Sequence, residues 1–518
     1  MKKIFKYGFG LLGMMALAAC SGDKLETQPT DSVSGTTLFS DAKAAMVPLN
    51  GLYRSMYTSG WSTTGNTHQC FGVSAYCLAA EVMGDDFIMG AQGSGWFWFD
   101  AAYNVKGRFS SSAWRSYDLW YAFYTWISNA NYVIAAEETM GGATDDVHYV
   151  IGQAYAVRAY SYFQLAQWFA RTYKGHESEP CVPIYTEPTF KTTTGQPRAT
   201  VADVYAQIDS DLQKALSLLE GIEQQDKTHM AYAVAAGIAS RVALVEEKWN
   251  DAVTYAEAAI KASGCSVQPV ATITGMNSVG YNDVMWGAKI KSDQAGMYAS
   301  FFAHMDPAVV YAQRAPKAIS TWLYDKMSET DARRAWWNPT NPLNKVNDAG
   351  YYGYQQEKFS FSNVSTWEGD YVWMRVEEMY FNAAEAACRL GDEVTAKNYL
   401  MAVMSQRDPN YNTEKTGTAL GKLTTDETGS LLEEILIQKR IELWGEFGRT
   451  FDIRRLKQGF QRTLEQGWPS GLLLNSAAGP RPTANPENYM WVLTIPQAEF
   501  DGNTNMDISK DQNPAGDE

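Results

Sequence analysis

Apolar residues recur at helical spacing over long stretches of the chain. Between residues 149 and 169, five of them follow one another at steps of three, four and seven: Ile151, Tyr155, Tyr162, Leu165 and Phe169. Because an α-helix has about 3.6 residues per turn, side chains at these steps share one face of a helix. The pattern therefore predicts a long amphipathic helix with one buried side.

Two later regions each show the pattern of two helices joined by a short turn. Residues 231–262 contain two helical patterns with a break between them, and residues 372–407 repeat the plan with a turn at Gly391 and Asp392. Thr200 stands directly before another helical pattern and is suited to be its N-cap. Small Ala and Gly side chains permit close packing, and the pairs resemble imperfect tetratricopeptide repeats. We therefore predict a mostly α fold with degenerate helix pairs as its scaffold.

Three long stretches lack any sustained apolar period: residues 59–114, 264–370 and 461–518. The first two are rich in Gly, Asn, Ser and aromatic residues, and the last is rich in Pro, Asn and Gly. Loops of this length are unusual in a folded protein unless they are functional. We expect the helices to form a scaffold that displays these loops. Because no linker divides the chain into halves, we treat residues 41–518 as one domain.

The N-terminus has the pattern of an export signal. Three lysines precede an apolar run from Phe9 to Ala19, which is shorter than the roughly 20 residues that span a bilayer. The sequence Leu-Ala-Ala-Cys that ends at Cys20 is typical of a bacterial lipobox, where cleavage precedes the Cys and a lipid is attached to it. We predict a signal peptide at residues 1–19 and a lipidated tether at residues 20–40. An ordinary secretion signal with an incidental Cys is the alternative.

The net charge and the number of cysteines limit the partners and the disulfides that can be expected. The chain has 58 acidic and 43 basic residues, and the net charge of −15 becomes −18 when the signal peptide removes three lysines. Such an acidic protein is not expected to bind nucleic acid, whose phosphates require a basic surface. Five cysteines remain beside Cys20, so at least one is expected to be free, and a Cys70–Cys77 disulfide stays open.

The sequence shows no motif of a known catalytic class, since it has no P-loop, G-x-S-x-G or H-E-x-x-H. Asp85 and Asp86 are adjacent and poorly placed to flank one glycosidic bond, so a solvated turn is favoured. Four oxygen-bearing residues alternate as in a calcium loop: Asp501, Asn503, Asn505 and Asp507. Met506 and Gln512 replace the Gly and Glu of that motif. We predict a protein without catalysis or cofactor, and the calcium motif is incomplete.

Some polar residues are expected to be structural. Arg158 lies on the apolar face of the first helix and would need a buried carboxylate or carbonyl partner. His68 and Cys70 are too few ligands for zinc, so we favour a solvated imidazole. Four residues alternate in sign at spacing three and, if helical, would form an ion ladder along one face: Glu446, Arg449, Asp452 and Arg455.

The strongest candidate for ligand binding is the aromatic stretch at residues 96–99, which follows two glycines. Alternation along an extended chain would place Trp96 and Trp98 on one side and the two phenylalanines on the other. We expect one pair to pack inward and the other to face a ligand. Indole faces stack on the C–H faces of sugar rings, and Asn104 and Arg108 can hydrogen-bond to hydroxyl groups.

Two further aromatic groups occur in the second irregular segment. One of them supplies two candidate ligand contacts, Tyr298 and Phe302, and also contains Phe301. The other contains five aromatic residues: Trp336, Trp337, Tyr351, Tyr352 and Tyr354. The first of these two groups is the next candidate after the stretch at residues 96–99.

Several stretches, taken in order, resemble the RagB/SusD family of outer-membrane nutrient-binding lipoproteins. They are the residues from Cys20 to Asp23 with Leu25, Glu26 and Pro29, the stretch 120–134, Arg158–Tyr160 with Tyr162 and Phe163, residues 182–188, the Thr200 helix, the helical stretch 434–457 and the closing stretch 495–514. The usual Glu-Arg pair of the C-terminal helix is replaced by Lys439 and Arg440.

The resemblance implies a fold built on four tetratricopeptide-like helix pairs and a lipid anchor in the outer membrane that faces the cell surface. It also implies a partner, a SusC-like TonB-dependent barrel to which the ligand is delivered. Most members bind glycans, so we expect capture of an oligosaccharide. A RagB-like peptide-binding protein is the alternative, and a secreted glycan-cleaving enzyme is less favoured.

The lipobox generates a first prediction. Replacing the lipid-accepting thiol in Cys20→Ala should abolish incorporation of radiolabelled palmitate and leave the protein unprocessed or soluble in the periplasm. Cys265→Ala leaves the lipobox intact and is the matched control, which should be labelled like the parent. Palmitate that still enters the Cys20→Ala protein would contradict the lipobox assignment.

Overall fold

A computed structural model of the chain describes residues 38–59, 64–104, 110–340, 353–474 and 487–514. Several positions singled out above lie outside the described residues: the signal peptide, Cys20, most of the tether, Arg108, Tyr351 and Tyr352. About 48% of the structure is helical and the described strands are short, which confirms the mostly α fold class. No helix in the described ranges has both the length and the apolar character needed to cross a membrane.

The described α-helices are α1 (Ala42–Ser55), α2 (Val73–Val82), α3 (Trp98–Ala101), α4 (Trp114–Ile134), α5 (Thr144–Phe169), α6 (Val201–Leu219), α7 (Tyr232–Glu246), α8 (Trp249–Ser263), α9 (Phe301–Met305), α10 (Val310–Arg314), α11 (Thr321–Tyr324), α12 (Val376–Arg389), α13 (Glu393–Met404), α14 (Leu431–Glu442), α15 (Arg449–Arg455), α16 (Gln497–Gly502) and α17 (Ile508–Asp511). Short 3₁₀ helices include Thr67–Gln69 and Ser470–Leu472.

The long helices pack as neighbouring pairs. Helix α5 packs against both α4 and α6, α7 packs along α8, and α12 packs along α8 and α13. Gly391, with a φ of +82°, forms the turn between α12 and α13, and Thr200 caps α6 in a capping box with Asp203. A Cβ atom on Gly152 would lie 2.7 Å from Cγ of Leu219, so glycine permits the close approach of α5 and α6. The predicted helix pairs and cap are confirmed.

Arg158 joins three helices through buried polar contacts. Its Nε and Nη2 atoms donate to the Asp211 carboxylate at 2.8 and 2.7 Å. Its Nη1 atom donates to Asn131 Oδ1 at 2.8 Å and to the Thr186 carbonyl at 3.0 Å. A guanidinium buried in this way is stable only because its donors are satisfied. The prediction that Arg158 is a structural pair member is confirmed.

Six short strands are described: β1 (Phe87–Met89), β2 (Val284–Ala288), β3 (Lys317–Ile319), β4 (Trp337–Asn338), β5 (Gln355–Gln356) and β6 (Tyr371–Arg375). One antiparallel sheet has the order β1-β3-β5-β4, and β2 pairs with β6. Met89 faces Lys317 in the register, and the Gly90 amide donates to the Pro316 carbonyl at 2.7 Å. The residues that follow β1 therefore lie beside those that precede β3, which brings two irregular segments together.

Asp85 and Asp86 are buried, with exposures of 3% and 2%, so the predicted solvated turn is wrong. Arg440 donates to both oxygens of Asp86 at 2.9 and 2.7 Å, and Arg449 donates to Asp85 at 2.9 Å. Burial alone would raise the pKa of Asp85, but Arg449 and Arg440 outweigh it and hold the pKa at about 2. These carboxylates are ion-pair partners of the C-terminal segment.

The predicted ion ladder at residues 446–455 is also wrong. Glu446 precedes α15 and pairs with Lys358 and with Arg375 at 2.5 and 2.7 Å. Of the four ladder residues, Asp452 and Arg455 pair with each other, at 2.6 Å. The side chains turn into the core and pair across elements, where removal of one partner leaves an uncompensated charge.

A dense cluster of charges surrounds Glu442 at the end of α14. Arg407 donates to both Glu442 oxygens at 2.8 Å, and Arg375 donates to one of them at 3.0 Å. Arg407 also donates to Glu377 at 2.8 Å. Burial, followed by the nearby Asp283 and Glu442 carboxylates, raises the pKa of Glu377 to about 8 despite these arginines. At neutral pH the cluster therefore keeps a proton on Glu377.

The raised pKa of Glu377 predicts a pH dependence of stability. The folded protein keeps this proton up to a pH near 8, whereas an unfolded glutamate loses it near 4.3, so stability falls as the pH rises between these values. Glu377→Gln cannot titrate. Between pH 5 and 8 the parent should lose unfolding free energy relative to this variant, by up to about 1.4 kcal/mol per pH unit.

Chemical denaturation of both proteins at pH 5, 6, 7 and 8 measures that difference. Asp85→Asn is the matched control, because the low pKa of Asp85 keeps it charged throughout this range. Its free-energy difference from the parent should stay constant. If the unfolding free energies of the parent and of Glu377→Gln change with pH in parallel, the raised pKa assigned to Glu377 is contradicted.

Candidate ligand-binding site

Two aromatic segments that are distant in sequence meet at the surface. We call His68, Trp96, Tyr298 and Tyr311 the aromatic cluster. The His68 and Trp96 rings stack at 5.0 Å with an interplanar angle of 11°, and the Tyr298 and Tyr311 rings stack at 5.1 Å and 28°. His68 lies 5.8 Å from Tyr311 and 6.0 Å from Tyr298. Tyr298 is 47% exposed and the other three are half-buried, so two stacked pairs form one open aromatic surface.

The backbone turns sharply inside the aromatic stretch at residues 96–99. Phe97 adopts a left-handed conformation with a φ of 61°, and α3 begins at the next residue. Phe97 is fully buried while Phe99 is 47% exposed, and Trp96 and Trp98 are both half-buried. The predicted alternation of faces is wrong, because a helical turn replaces the extended chain that alternation requires.

Buried polar groups hold this loop at its base. Arg115 donates to both oxygens of Asp100, at 3.2 and 2.9 Å, and to the Gln69 carbonyl at 2.8 Å. The Gln69 side chain in turn accepts a hydrogen bond from the Phe97 amide at 2.7 Å. Charge-assisted, bidentate contacts of this kind are strong and directional. They fix the path of the chain on which Trp96 is carried.

Of the remaining candidates from this loop, the structure describes Trp98 and Asn104. Trp98 packs toward Gly471, where an added Cβ would lie 3.1 Å from the indole ring. Within the described residues no ring contact joins Trp98 to the cluster. The Asn104 amide donates to the Phe99 carbonyl at 3.0 Å and closes the turn after α3. Arg108 falls outside the described residues, so its predicted role stays a prediction.

The second segment divides into exposed and buried residues. Phe302 is 1% exposed and packs against Phe361 and Tyr371 at ring distances of 5.5 and 6.0 Å. Its predicted contact with a ligand is wrong, because the ring is enclosed by the core. Trp336 and Trp337 of the third aromatic group are buried too. Tyr298 remains as the accessible candidate, and Tyr311 joins it.

Two buried basic residues, His304 and Lys317, lie close to each other near the aromatic cluster. His304 Nε2 donates to the His68 carbonyl at 2.7 Å, and its ring lies 5.5 Å from Tyr311. Burial, with a contribution from Lys317, lowers the pKa of His304 to about 3, so its imidazole is neutral. Burial likewise lowers the pKa of Lys317 to about 7. His304 and Tyr311 are not marked by any pattern in the sequence, although both lie in the irregular segment that contains Tyr298.

The predicted calcium-like oxygens serve local hydrogen bonds. Asp501 accepts from Gln497 Nε2 at 2.9 Å, Asp507 accepts from the Ser509 amide at 2.9 Å, and Asn503 Oδ1 accepts from the Asn505 amide at 3.0 Å. In the described part of the chain, no group of three His, Cys, Asp or Glu side chains could hold a metal ion. The five cysteines described there are free thiols, so Cys70 and Cys77 are not joined.

A second aromatic groove, of about 460 Å³, lies between α4, the segment near residue 190 and α16. Its lining includes Tyr117, Tyr121, Tyr124, Tyr185, Phe190 and Pro496. Two polar atoms on its walls have protein partners. Trp120 Nε1 donates to Glu499 at 3.1 Å, and the Tyr124 hydroxyl donates to the Pro183 carbonyl at 2.7 Å.

Two family profiles match the chain. One, described as starch-binding and associating with the outer membrane, matches residues 85–244, and the other, described as the SusD family, matches residues 276–515. The matches follow one another along the chain from β1 to α17 and leave residues 245–275, which contain α8, unmatched. None of the proteins with curated descriptions matches the chain.

Solved structures share the fold. A SusD-like carbohydrate binding protein from Bacteroides vulgatus is 24% identical, with a TM-score of 0.75 over 90% of this chain and 98% of that one. Surface glycan-binding protein A from Bacteroides fluxus is 15% identical, with a TM-score of 0.64 over 91% and 99%. A laminarin binding SusD-like protein is 19% identical, with a TM-score of 0.62 over 92% and 100%.

Apart from residues 20–29, the stretches of sequence that resemble the family lie in these matched regions. They include Arg158 with the helix that carries it, α14 with the segment after it, and the closing residues from 495 onward. Proteins of this kind are non-catalytic binding proteins that are generally associated with the outer membrane. The chain belongs to the RagB/SusD family.

Proposed function

We propose that this protein is a lipid-anchored, cell-surface binding protein that captures oligosaccharides on the aromatic cluster and delivers them to a SusC-like TonB-dependent transporter. The observation that carries the proposal is the meeting of Trp96 and Tyr298, from two distant segments, in two stacked aromatic pairs at the surface. Flat aromatic faces match the C–H faces of sugar rings. Aromatic residues in such pockets supply a large share of binding energy.

The strand edges argue for a sugar over a peptide. A peptide that binds by strand addition needs an exposed sheet edge with free backbone groups. Strand β1 is one edge of the four-stranded sheet, but all three of its residues are buried. The other edge strand, β4, has two residues, of which Trp337 is buried. These edges give an extended peptide little to pair with.

The similar structures support the same class of ligand. Those proteins are described as carbohydrate binding, glycan-binding and laminarin binding. The match to a profile described as associating with the outer membrane supports the location. The lipobox at Cys20, followed by Asp23 and Glu26, supports anchoring at the outer face of that membrane. Delivery to a barrel transporter rests on the family resemblance.

Removing the exposed ring of the aromatic cluster should weaken glycan binding. Open sugar sites are expected to bind with dissociation constants on the order of 1 µM to 1 mM, or about −8 to −4 kcal/mol. Loss of one stacked ring should cost about 1–3 kcal/mol by analogy with aromatic hot spots. Tyr298→Ala should therefore reduce affinity at least fivefold or abolish measurable binding. Calorimetry against a glycan panel measures this, and the melting temperature should barely move because Tyr298 is exposed.

Tyr121→Ala is the matched control for that variant. Tyr121 is 40% exposed and lies in the second aromatic groove. The Tyr121→Ala protein should bind the same glycan with the affinity of the parent protein. If Tyr121→Ala loses binding while Tyr298→Ala keeps it, the glycan site is the groove and not the aromatic cluster. Trp96→Ala should also lose binding, with a larger fall in melting temperature because Trp96 is half-buried.

The transporter role predicts a stable complex. Gentle detergent extraction of outer membranes at native expression should recover the protein together with a TonB-dependent barrel, identified by mass spectrometry. The Cys20→Ala protein, which lacks the proposed anchor, is the control and should be absent from that complex. Recovery of the anchored protein alone would count against delivery to a barrel.

A further inference from the structure

We propose that His68 orients the ligand at the aromatic cluster, with its Nε2 atom hydrogen-bonding a ligand hydroxyl, and that Tyr311 and the buried His304 hold it in position. This inference rests on the proposed function and assigns the polar group of the same site. It makes His68 a ligand-contact residue and His304 a positioning residue that acts through it. This role differs from the solvated imidazole that the sequence favours.

The His68 ring is fixed on three of its sides. One face stacks on Trp96 at 5.0 Å, and Nδ1 lies 3.1 Å from the Tyr311 hydroxyl. The Tyr298 ring, tilted by 51°, lies 6.0 Å away. Among the described residues Nε2 makes no hydrogen bond, and it is not one of the buried polar atoms that lack a partner. Nε2 therefore keeps some exposure to solvent beside the aromatic faces.

The backbone of His68 is held as firmly as its ring. Residues Thr67–Gln69 form a 3₁₀ turn, and the His68 carbonyl accepts a hydrogen bond from His304 Nε2 at 2.7 Å. At the next residue, Gln69 accepts hydrogen bonds from Arg115 and from the Phe97 amide. The three donor residues, His304, Arg115 and Phe97, are buried. Hydrogen bonds in such surroundings are stronger than in water. The ring is thus preorganised before a ligand arrives.

The contact with Tyr311 leaves a useful group at Nε2 in either tautomer. If the phenol donates to Nδ1, then Nε2 carries the proton and donates outward. If Nδ1 carries the proton and donates to the phenol oxygen, then Nε2 accepts. A sugar hydroxyl is both donor and acceptor, so it can pair with Nε2 in both cases. A hydroxyl is therefore the ligand group that this arrangement fits best.

His304 has no comparable freedom. Its Nε2 atom faces a carbonyl, which only accepts, so Nε2 must carry the proton. The ring also stacks on Phe71 at 5.8 Å and meets Phe97 edge-on at 5.0 Å. It is enclosed and neutral, and it cannot touch a ligand directly. Its effect on binding must pass through the His68 carbonyl or through the Tyr311 ring, which lies 5.5 Å away.

Imidazole NMR tests the arrangement directly, because the chain has only five histidines. With ¹⁵N-labelled histidine, His68→Gln and His304→Gln assign two of the five rings. In the ligand-free protein, Tyr311→Phe should shift the His68 Nδ1 resonance. Addition of the glycan found by calorimetry should shift His68 Nε2 and leave His229, which pairs with Asp226 and Asn50, unchanged.

Binding measurements with matched variants complete the test. His68→Phe keeps a flat ring against Trp96 but lacks Nε2, and affinity should fall about tenfold, as expected for loss of one hydrogen bond. His304→Phe keeps the volume but removes the donor, and affinity should fall by a similar factor. His304→Gln supplies a new N–H at about the same place and should restore most of the loss. If His304 had only a structural role, the affinity of each His304 variant would fall in proportion to the fall in its melting temperature.

The outcomes separate this inference from the proposed function. Suppose that a glycan binds the parent protein and that Tyr298→Ala abolishes this binding. If His68→Phe then keeps the parent affinity and the glycan does not shift the His68 Nε2 resonance, the inference is overturned and the proposed function stands. If no glycan of the panel binds the parent protein, both are overturned. A Tyr311→Phe protein with an unshifted Nδ1 resonance would overturn the role given to Tyr311.

Discussion

Neutralisation of the charges that α14 carries into the core is the constraint on which the fold depends. Arg440 pairs with Asp86, 354 residues earlier in the chain, and Glu442 binds Arg407 and Arg375. A buried charge without a partner costs several kcal/mol, so these pairs must form together. Because Asp86 directly precedes β1, the same ion pairs fix the strand from which the ligand-binding loop departs. The position of the aromatic cluster thus follows from contacts made far from any ligand.

Buried charges are also paired at the candidate ligand-binding site. Arg115 and Asp100 neutralise each other beneath the loop, and Gln69 joins them to the aromatic stretch. A surface held in this way loses little conformational entropy when a ligand binds, which favours affinity for flexible ligands. His68 belongs to the same frame through its carbonyl, while its ring stays at the surface. Rigidity and accessibility are thereby combined in one short turn.

Local patterns were sufficient to predict the scaffold. Periodicity and the cap at Thr200 predicted α5, α6 and the later pairs, because a helix is set by residues a few positions apart. Most of the failures involve distant partners. Asp85 and Asp86 were expected in solvent, since nothing near them reveals Arg440 and Arg449. Composition found the aromatic segments, but it could not show that Phe302 is enclosed or that Phe97 takes a left-handed conformation rare for its type.

Around residues 67–115, buried residues hold the loop and exposed rings form the surface, and this separation affects how such a protein can diversify. The residues that hold the loop, Gln69, Asp100 and Arg115, are buried, whereas rings such as Tyr298 stand at the surface. Exchanges of exposed rings leave the anchoring contacts untouched, so their effects on folding stay small while the shape of the surface changes. One scaffold can therefore explore many ligand preferences by substitution at a few outer positions, with the inner frame as the inherited part.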